Sequence, residues 1–455
     1  MMSVFDYAKE NALRFREELH EFLRIPSVST DAGYAEDVKR AANWLASNMR
    51  AAGLDAKVIA TRGHPLVYGE WLGAGADAPT VLVYGHYDVQ PAAKEDGWDT
   101  EPFEPVERDG KIWARGATDD KGQVFAHVKA VEALLKAEGK LPVNVKFIIE
   151  GEEENGSQHI TQYVADNLEQ LAADVCVISD GSMPSITQPT IVYALRGISV
   201  MELRVTGPKQ DLHSGMYGGS VYNPLLALAQ IIARLYNDDG SVAVPGFYDE
   251  VLALDETERA EIARMPWTEA QWHAETGAPQ PWGDINYSLR ERVGARPTLE
   301  INGMAGGYHQ SGFKAIVPAE AHAKISCRLV ANQTPEVVYE KVRAYIEQIT
   351  PPGVKTEMHY HAGGATARVP LDSPAMQAAV RAYEQGWGAS PVFMREGGSI
   401  PIVADFQAKL NLPVVLMGFG LNTDNLHGPN EHFSIEMFHK GIDTAIHFLR
   451  ECAGL

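Results

Sequence analysis

The sequence predicts an α/β fold: a mostly parallel-sheet domain interrupted by an inserted α+β domain. Three observations carry this. Single apolar strand-like runs alternate with helical stretches through the first part of the chain. The texture changes near Gly197 to longer alternating strands, and the strand–helix texture returns after about Gly363. At 455 residues the chain also exceeds the size at which one hydrophobic core keeps growing. The expected boundaries are 1–196 with 364–455 for the first domain and 197–363 for the insertion.

The N-terminal stretch (MMSVFDYAKENALRFREELHEFL) has apolar residues at helical spacing mixed with charges. A helical pattern covers 37–52, followed by the apolar run 80–84 (TVLVY), which ends at a Gly. A second helical stretch, 122–138, leads to the strand-like run 143–149. A third run, 173–178, ends at Ser179-Asp180-Gly181. Strands alternating with helices imply a parallel sheet, and such sheets collect ligands beyond the carboxyl ends of their strands. Each of these three runs is followed within a few residues by His, Asp or Glu.

In the insertion, ISVMELRVTG from Ile198 reads as an alternating strand, 224–236 as an apolar-rich helix and 321–329 as another alternating strand. Between them, 245–296 is a long Trp- and Glu-rich passage with helical spacing and Pro/Gly breaks. A helix at 373–383, a strand at 413–417 and a closing helix at 435–450 complete the chain. No internal repeat or low-complexity segment interrupts this order.

Composition is that of a globular protein, 45% hydrophobic and 22% charged, with a formal charge of −21 that argues against a nucleic-acid partner. No stretch approaches the roughly 20 apolar residues needed to span a bilayer, and the N-terminus lacks the uninterrupted apolar segment of a signal peptide. A cytoplasmic enzyme without a membrane partner is expected. The three cysteines are scattered and form no CxxC pair. Cys176 and Cys327 lie inside strand-like runs, where a small buried hydrophobe is expected. HExxH, GxSxG, P-loop and GxGxxG patterns do not occur in a suitable context.

Five short segments carry metal-type ligands: GHYDVQP (His86, Asp88), ATDDKG (Asp119, Asp120), EGEEENGS (Glu152, Glu153, Glu154), ISDGS (Asp180) and LHGPNE (His427). Taken alone, each reads as structural: a hydrogen-bonded strand-end histidine, a solvated acidic loop, turn residues before Gly. The combination points elsewhere. Divalent ions of the zinc type take imidazole and carboxylate ligands, and two ions a few Å apart need a carboxylate to bridge them. Two histidines and three carboxylates, one bridging, satisfy two such ions and leave a shared position for hydroxide. His86 and Asp88 are two apart, so in an extended segment they point to one side. That is the spacing for a carboxylate that orients a ligating imidazole.

With these motifs in their order, the sequence resembles the M20 metallopeptidases over nearly its whole length, and among them the cytosolic non-specific dipeptidases and carnosinases. The resemblance implies two divalent ions, zinc first, with manganese or cobalt as alternatives. His86 and Asp180 would hold one ion and Glu154 and His427 the other, with Asp119 bridging. It also implies Glu153 as catalytic base, from the Glu153-Glu154-Asn155-Gly156-Ser157 register, Asp88 as the catalytic aspartate behind the ligands, and a cis peptide between Asp119 and Asp120.

The implied fold is a catalytic domain carrying a lid/dimerisation domain at 197–363. In DLHSGMYGGS, His213 matches a histidine that reaches the active site of the other subunit of a homodimer. Arg328 matches the arginine gripping the substrate carboxylate. Gly398 and Ser399, after Gly397 in REGGSIP, match a loop that donates to the same end. One departure is Ala315 in GFKAIVP, where dipeptidase relatives have Thr; it puts the narrower carnosine-type specificity in question. The implied reaction is hydrolysis of dipeptides or short peptides with a free C-terminal carboxylate. The alternative is an N-acyl-amino-acid deacylase of the acetylornithine or aminoacylase kind, against which the extra segment 245–296 argues. A non-catalytic member of the family is disfavoured because His86, Asp88, Asp119, Glu153, Glu154, Asp180 and His427 are all present.

Overall fold

The computed structural model describes residues 2–265, 267–397 and 401–455. They form two compact units. The first comprises Met1–Tyr193, Val369–Phe393 and Pro401–Leu455, and the second Ala194–Arg368 and Met394–Ile400.

The first unit is built on a sheet whose strands lie in the spatial order Asp55–Ile59, Leu66–Trp71, Asn144–Glu150, Thr80–His86, Val175–Ile178, Val414–Leu416 and Thr190–Leu195. The four central strands, from Asn144–Glu150 to Val414–Leu416, run parallel. The flanking strands pair antiparallel. Asn144–Glu150, Val175–Ile178 and Val414–Leu416 are buried at every position, which is why the last two read as continuous apolar runs and do not alternate; in the first, Lys146 donates to the Ala172 carbonyl at 2.7 Å.

Helices cover this sheet. Ala35–Ala52 buries Val38, Ala41, Ala42, Leu45, Ala46 and Met49 at helical spacing and ends at Gly53, whose φ of 113° suits a residue without Cβ. Lys121–Glu138 differs, being buried all round from Lys121 to Leu134. Even Lys121 is enclosed: its ammonium donates to the Phe22 and Ile25 carbonyls at 3.1 and 2.7 Å, and burial lowers its pKa to about 7. Ile435–Glu451 packs against both Lys121–Glu138 and Pro374–Trp387.

In the second unit four antiparallel strands lie in the order Thr298–Gly306, Glu320–Leu329, Gly197–Thr206, Lys355–Gly364. Alternate residues face the core: Met201, Leu203 and Val205 on one strand, Ile325, Cys327 and Leu329 on the next. They pack with Leu228 and Ile231 of helix Pro224–Ala233 and Val338, Val342 and Ile346 of helix Pro335–Ile349. Each such buried aliphatic contributes roughly 1.5–3 kcal/mol. The opposite face carries the polar partners of the alternation, including Glu202, His322 and Arg328.

All three cysteines are buried and free. Among the described residues no helix is long and apolar enough to cross a membrane.

Candidate metal centre

The parallel strands of the first unit end at one edge, and the chemistry-bearing residues follow those ends. His86 is the last residue of Thr80–His86, Glu153 and Glu154 sit in the turn after Asn144–Glu150, and Asp180 lies just beyond Val175–Ile178. Asp119 immediately precedes Asp120 and the helix Lys121–Glu138, whose N-terminal end presents partial positive charge. The peptide bond between Asp119 and Asp120 is cis, at the position the resemblance implied. His427 lies in the loop between the short strands Gly420–Leu421 and His432–Ser434, with a φ of 60°.

The structure brings five of these side chains into two groups that share one carboxylate. His86 Nε2 lies 3.1 Å from Asp119 Oδ1 and 3.8 Å from Asp180 Oδ2. His427 Nε2 lies 2.9 Å from Asp119 Oδ2 and 3.4 Å from Glu154 Oε2. Within each group, His86–Asp119–Asp180 and Asp119–Glu154–His427, the ligand atoms lie within 4.8 Å of one another. Bonds of about 2.0–2.2 Å to a tetrahedral ion place ligand atoms roughly 3.3–3.6 Å apart; the 3.4 Å contact falls within that spacing, and those at 2.9, 3.1 and 3.8 Å lie close on either side. Glu154 Oε2 accepts from Gln90 Nε2 at 2.6 Å, whereas its buried Oε1 has no hydrogen-bond partner among the described residues. An orphaned buried carboxylate oxygen is an acceptor that a cation would satisfy. The donor set therefore fits two divalent ions bridged by Asp119.

The electrostatics agree. Burial opposes ionisation of Asp119, but hydrogen bonds from His427 and His86 outweigh it and hold the carboxyl below its usual range. Burial, then the charges of Asp119, Glu153 and Glu154, pushes Asp180 well up. Glu154 is raised to about 7 by burial and by Asp119. His427 is raised to about 9, chiefly by its hydrogen bond to Asp119. His86 is buried, which disfavours its charged form, yet Asp119 and Asp88 raise it well above the ordinary value. The crowded carboxylates repel one another, which adds to burial in disfavouring ionisation of Asp180 and Glu154 and favours the cationic forms of His86 and His427. Divalent ions would supply that positive charge directly.

Asp88 serves two neighbours. His86 Nδ1 lies 3.0 Å from the Asp88 carbonyl and 3.4 Å from its carboxylate Oδ1. The shorter contact, to the carbonyl, leaves Nε2 to face the carboxylates. The Asp88 carboxylate also accepts from the backbone N–H groups of Glu153 and Glu154, at 3.2 and 3.1 Å, and so ties their turn to the His86 strand. Glu153 belongs to neither ligand group. Burial raises its pKa, as do the charges of Asp88 and Asp119, against the histidines. A carboxyl beside a ligand cluster with a raised pKa suits proton transfer.

Sequence reasoning missed several supports. Glu152, which reads as solvated, is buried; it accepts from His64 N at 2.9 Å and lies 2.7 Å from His159 Nδ1. Gln90, inside GHYDVQP, carried no signal of its own. The buried Arg115–Glu431 pair behind Asp119 was also unread, although Arg115 lies two residues before ATDDKG and Glu431 ends LHGPNE.

In the second unit, His213 caps the short helix Ser214–Tyr217: its Nδ1 accepts from Gly215 N at 3.0 Å. Nε2 has no hydrogen-bond partner among the described residues. Ala315 accepts from Ser214 N through its carbonyl at 3.0 Å. Arg328 lines a cavity of about 440 Å³ with Arg196, Tyr236, Glu300 and Ser326. Burial, and then the neighbouring Arg328, lowers the Arg196 pKa to about 10. Gly398 and Ser399 lie outside the described residues.

A family model described as peptidase family M20/M25/M40 matches residues 82–451. The chain belongs to this family. The resemblance drawn from the motifs thus holds, and with it the α/β architecture with a largely parallel central sheet. The chain is 31% identical over 466 residues to the Cys-Gly metallodipeptidase DUG1 of Candida albicans, covering 98% of this chain and 96% of that protein. It is 33% identical over 400 residues to the Beta-Ala-His dipeptidase of Homo sapiens, covering 86% of this chain and 78% of that one. Among solved structures, the M20 family metallo-carboxypeptidase Sso-CP2 from Sulfolobus solfataricus superposes with a TM-score of 0.82 at 32% identity, covering 97% of this chain and 99% of that chain.

Proposed function

We propose that this M20 peptidase hydrolyses the peptide bond of dipeptides or short peptides with a free C-terminal carboxylate, at a centre of two divalent ions, zinc first. The observation that carries the reading is the pair of ligand groups sharing Asp119. Relatives named for Cys-Gly and Beta-Ala-His dipeptides support a dipeptide over an N-acyl amino acid. Residues His86, Asp119 and Asp180 would hold one ion, and Asp119, Glu154 and His427 the other. Bound there, such ions acidify a water and polarise the scissile carbonyl. Glu153 takes the proton of the attacking water and returns it to the leaving nitrogen. Asp88 keeps Glu153 aimed by holding the backbone of its turn.

Arg328 pairs with the substrate carboxylate in this reading, with Gly398 and Ser399 donating to the same group. A bidentate, charge-assisted contact is among the stronger polar interactions once water is excluded. A dipeptide amide is therefore expected to show kcat/KM at least about tenfold below that of the free dipeptide. A panel of free dipeptides, their amides and N-acetyl amino acids, run with zinc, manganese and cobalt, tests the reading. Equal rates on acid and amide exclude the Arg328 role, and a preference for N-acetyl amino acids favours the deacylase.

Residues 197–363 act as a lid and dimerisation domain, and His213 serves the active site of the other subunit of a homodimer in the cytoplasm. Support comes from the surroundings of His213: Met216, Tyr217 and Phe313 are exposed large apolar side chains within a few residues of it or of its paired strand Ile316–Val317. Exposed apolar side chains of this size are suited to burial against a second subunit. A donor brought in by a partner completes the oxyanion site only as substrate binds. Co-expressing His213→Ala with Glu153→Gln checks this. Acting in trans, half of the active sites in mixed dimers regain both residues and substantial activity returns; acting in cis, the mixture stays as inactive as either parent.

A further inference from the structure

The loops carrying Asp119 and His427 are far apart in sequence, yet the proposed second ion needs both within a fraction of an ångström. One buried ion pair touches both loops. Arg115 and Glu431 have side chains 3% and 0% exposed, with Arg115 Nη1 2.7 Å from Glu431 Oε2. The Glu431 carboxylate collects three backbone donors from the Asp119 loop: Gly116 N at 3.0 Å on Oε2, and Thr118 N at 3.0 Å and Asp119 N at 3.1 Å on Oε1. Its own carbonyl accepts from Ala114 N at 3.1 Å. On the other side, Arg115 Nη2 donates to the His427 carbonyl at 3.1 Å and the Gly428 carbonyl at 3.2 Å.

His427 needs that hold. Its φ of 60° is a left-handed conformation that a residue with a Cβ rarely adopts, and such a backbone persists where surrounding bonds over-determine it. A planar guanidinium can bond a carboxylate along one edge and carbonyls along another; an ammonium cannot span both in fixed geometry. A buried pair of this kind is poor at raising stability but well suited to fixing one arrangement.

We propose that Arg115 and Glu431 are positioning residues of the metal centre. Glu431 sets the Asp119 loop, and Arg115 locks the His427 loop to it, so that the Asp119, Glu154 and His427 ligand atoms converge. This rests on the dinuclear reading above. Partners that orient ligands from behind typically affect metal affinity by roughly 10- to 100-fold when removed.

The test uses the full chain, stripped of metal and titrated with zinc against a chromogenic chelator, and separately with cobalt, followed by its visible absorption. Arg115→Lys keeps the charge beside Glu431 but releases the His427 carbonyl, so one of the two ions is expected to bind roughly 10- to 100-fold more weakly, with an altered cobalt spectrum. Glu431→Gln frees the Asp119 loop and is expected to loosen both ions. If Glu431→Gln does not fold, Arg115→Lys alone decides. Wild-type affinity for both ions in the variants that fold, even with a lowered Tm, makes the pair merely structural and overturns the proposal. Wild-type protein binding fewer than two ions overturns the dinuclear reading itself, a failure visible before any variant is made.

Discussion

Glu153→Gln is expected to lower kcat about 10²- to 10⁴-fold while leaving two metal ions bound. The loss amounts to about 3–5 kcal/mol of transition-state stabilisation. Glutamine is nearly isosteric, so the turn held by Asp88 through the Glu153 and Glu154 N–H groups keeps its shape. What disappears is the group proposed to receive a proton and give it back. Glu153 lies outside both ligand groups, so metal content is not expected to follow activity down. Glu154→Gln should behave in the opposite way. Its carboxylate lies 3.4 Å from His427 Nε2 and has an unpartnered buried oxygen, so replacing it costs metal first and rate as a consequence. Elemental analysis of the two purified variants beside their kcat values separates the roles. Metal loss in Glu153→Gln with full retention in Glu154→Gln would show that the two roles are exchanged.

The parallel core was legible because its strands are buried on both faces. TVLVY and ADVCVI are apolar runs that end at residues with obvious chemistry, and the structure continues the first to His86 and confines the second to Val175–Ile178. The flanking strands were not. Asp55 and Lys57 interrupt Asp55–Ile59, and Gly69 and Glu70 interrupt Leu66–Trp71, so neither strand reads as an apolar run. Lys355–Gly364 has no fully buried residue, and its half-buried positions Thr356, Met358 and Tyr360 alternate with charged and histidine side chains, a pattern too weakly apolar to mark a strand. The passage 245–296 does contain helices, Glu256–Ala263, Glu269–Thr276 and Leu289–Gly294. Each starts at a side-chain cap, Asp255, Thr268 or Ser288, and their brevity reflects the intervening Pro and Gly residues.

At the site, the residues with metal chemistry could be read from sequence because each sits in a short local motif after a strand. Their supports could not. Arg115 and Glu431 are 316 positions apart, and only the fold brings their side chains together. Glu152 illustrates the converse: three consecutive glutamates suggest a solvated loop, yet the first is turned inward to His64 and His159. Periodicity cannot show the direction of a side chain in an irregular turn.

Dependence of hydrolysis on a pair of ions, held by the two ligand groups sharing Asp119, lies at the heart of the proposed function. It is tested by dialysing the protein against a strong chelator, verifying the metal content by elemental analysis, and titrating zinc back while following hydrolysis of a free dipeptide. Each ion would be bound by one imidazole and two carboxylates, a set that a chelator in excess can strip. No hydrolysis is expected in the stripped protein, with recovery complete as binding reaches two ions per chain. Manganese or cobalt should also restore activity, to different levels. Full hydrolytic activity in protein verified to be free of metal would contradict it.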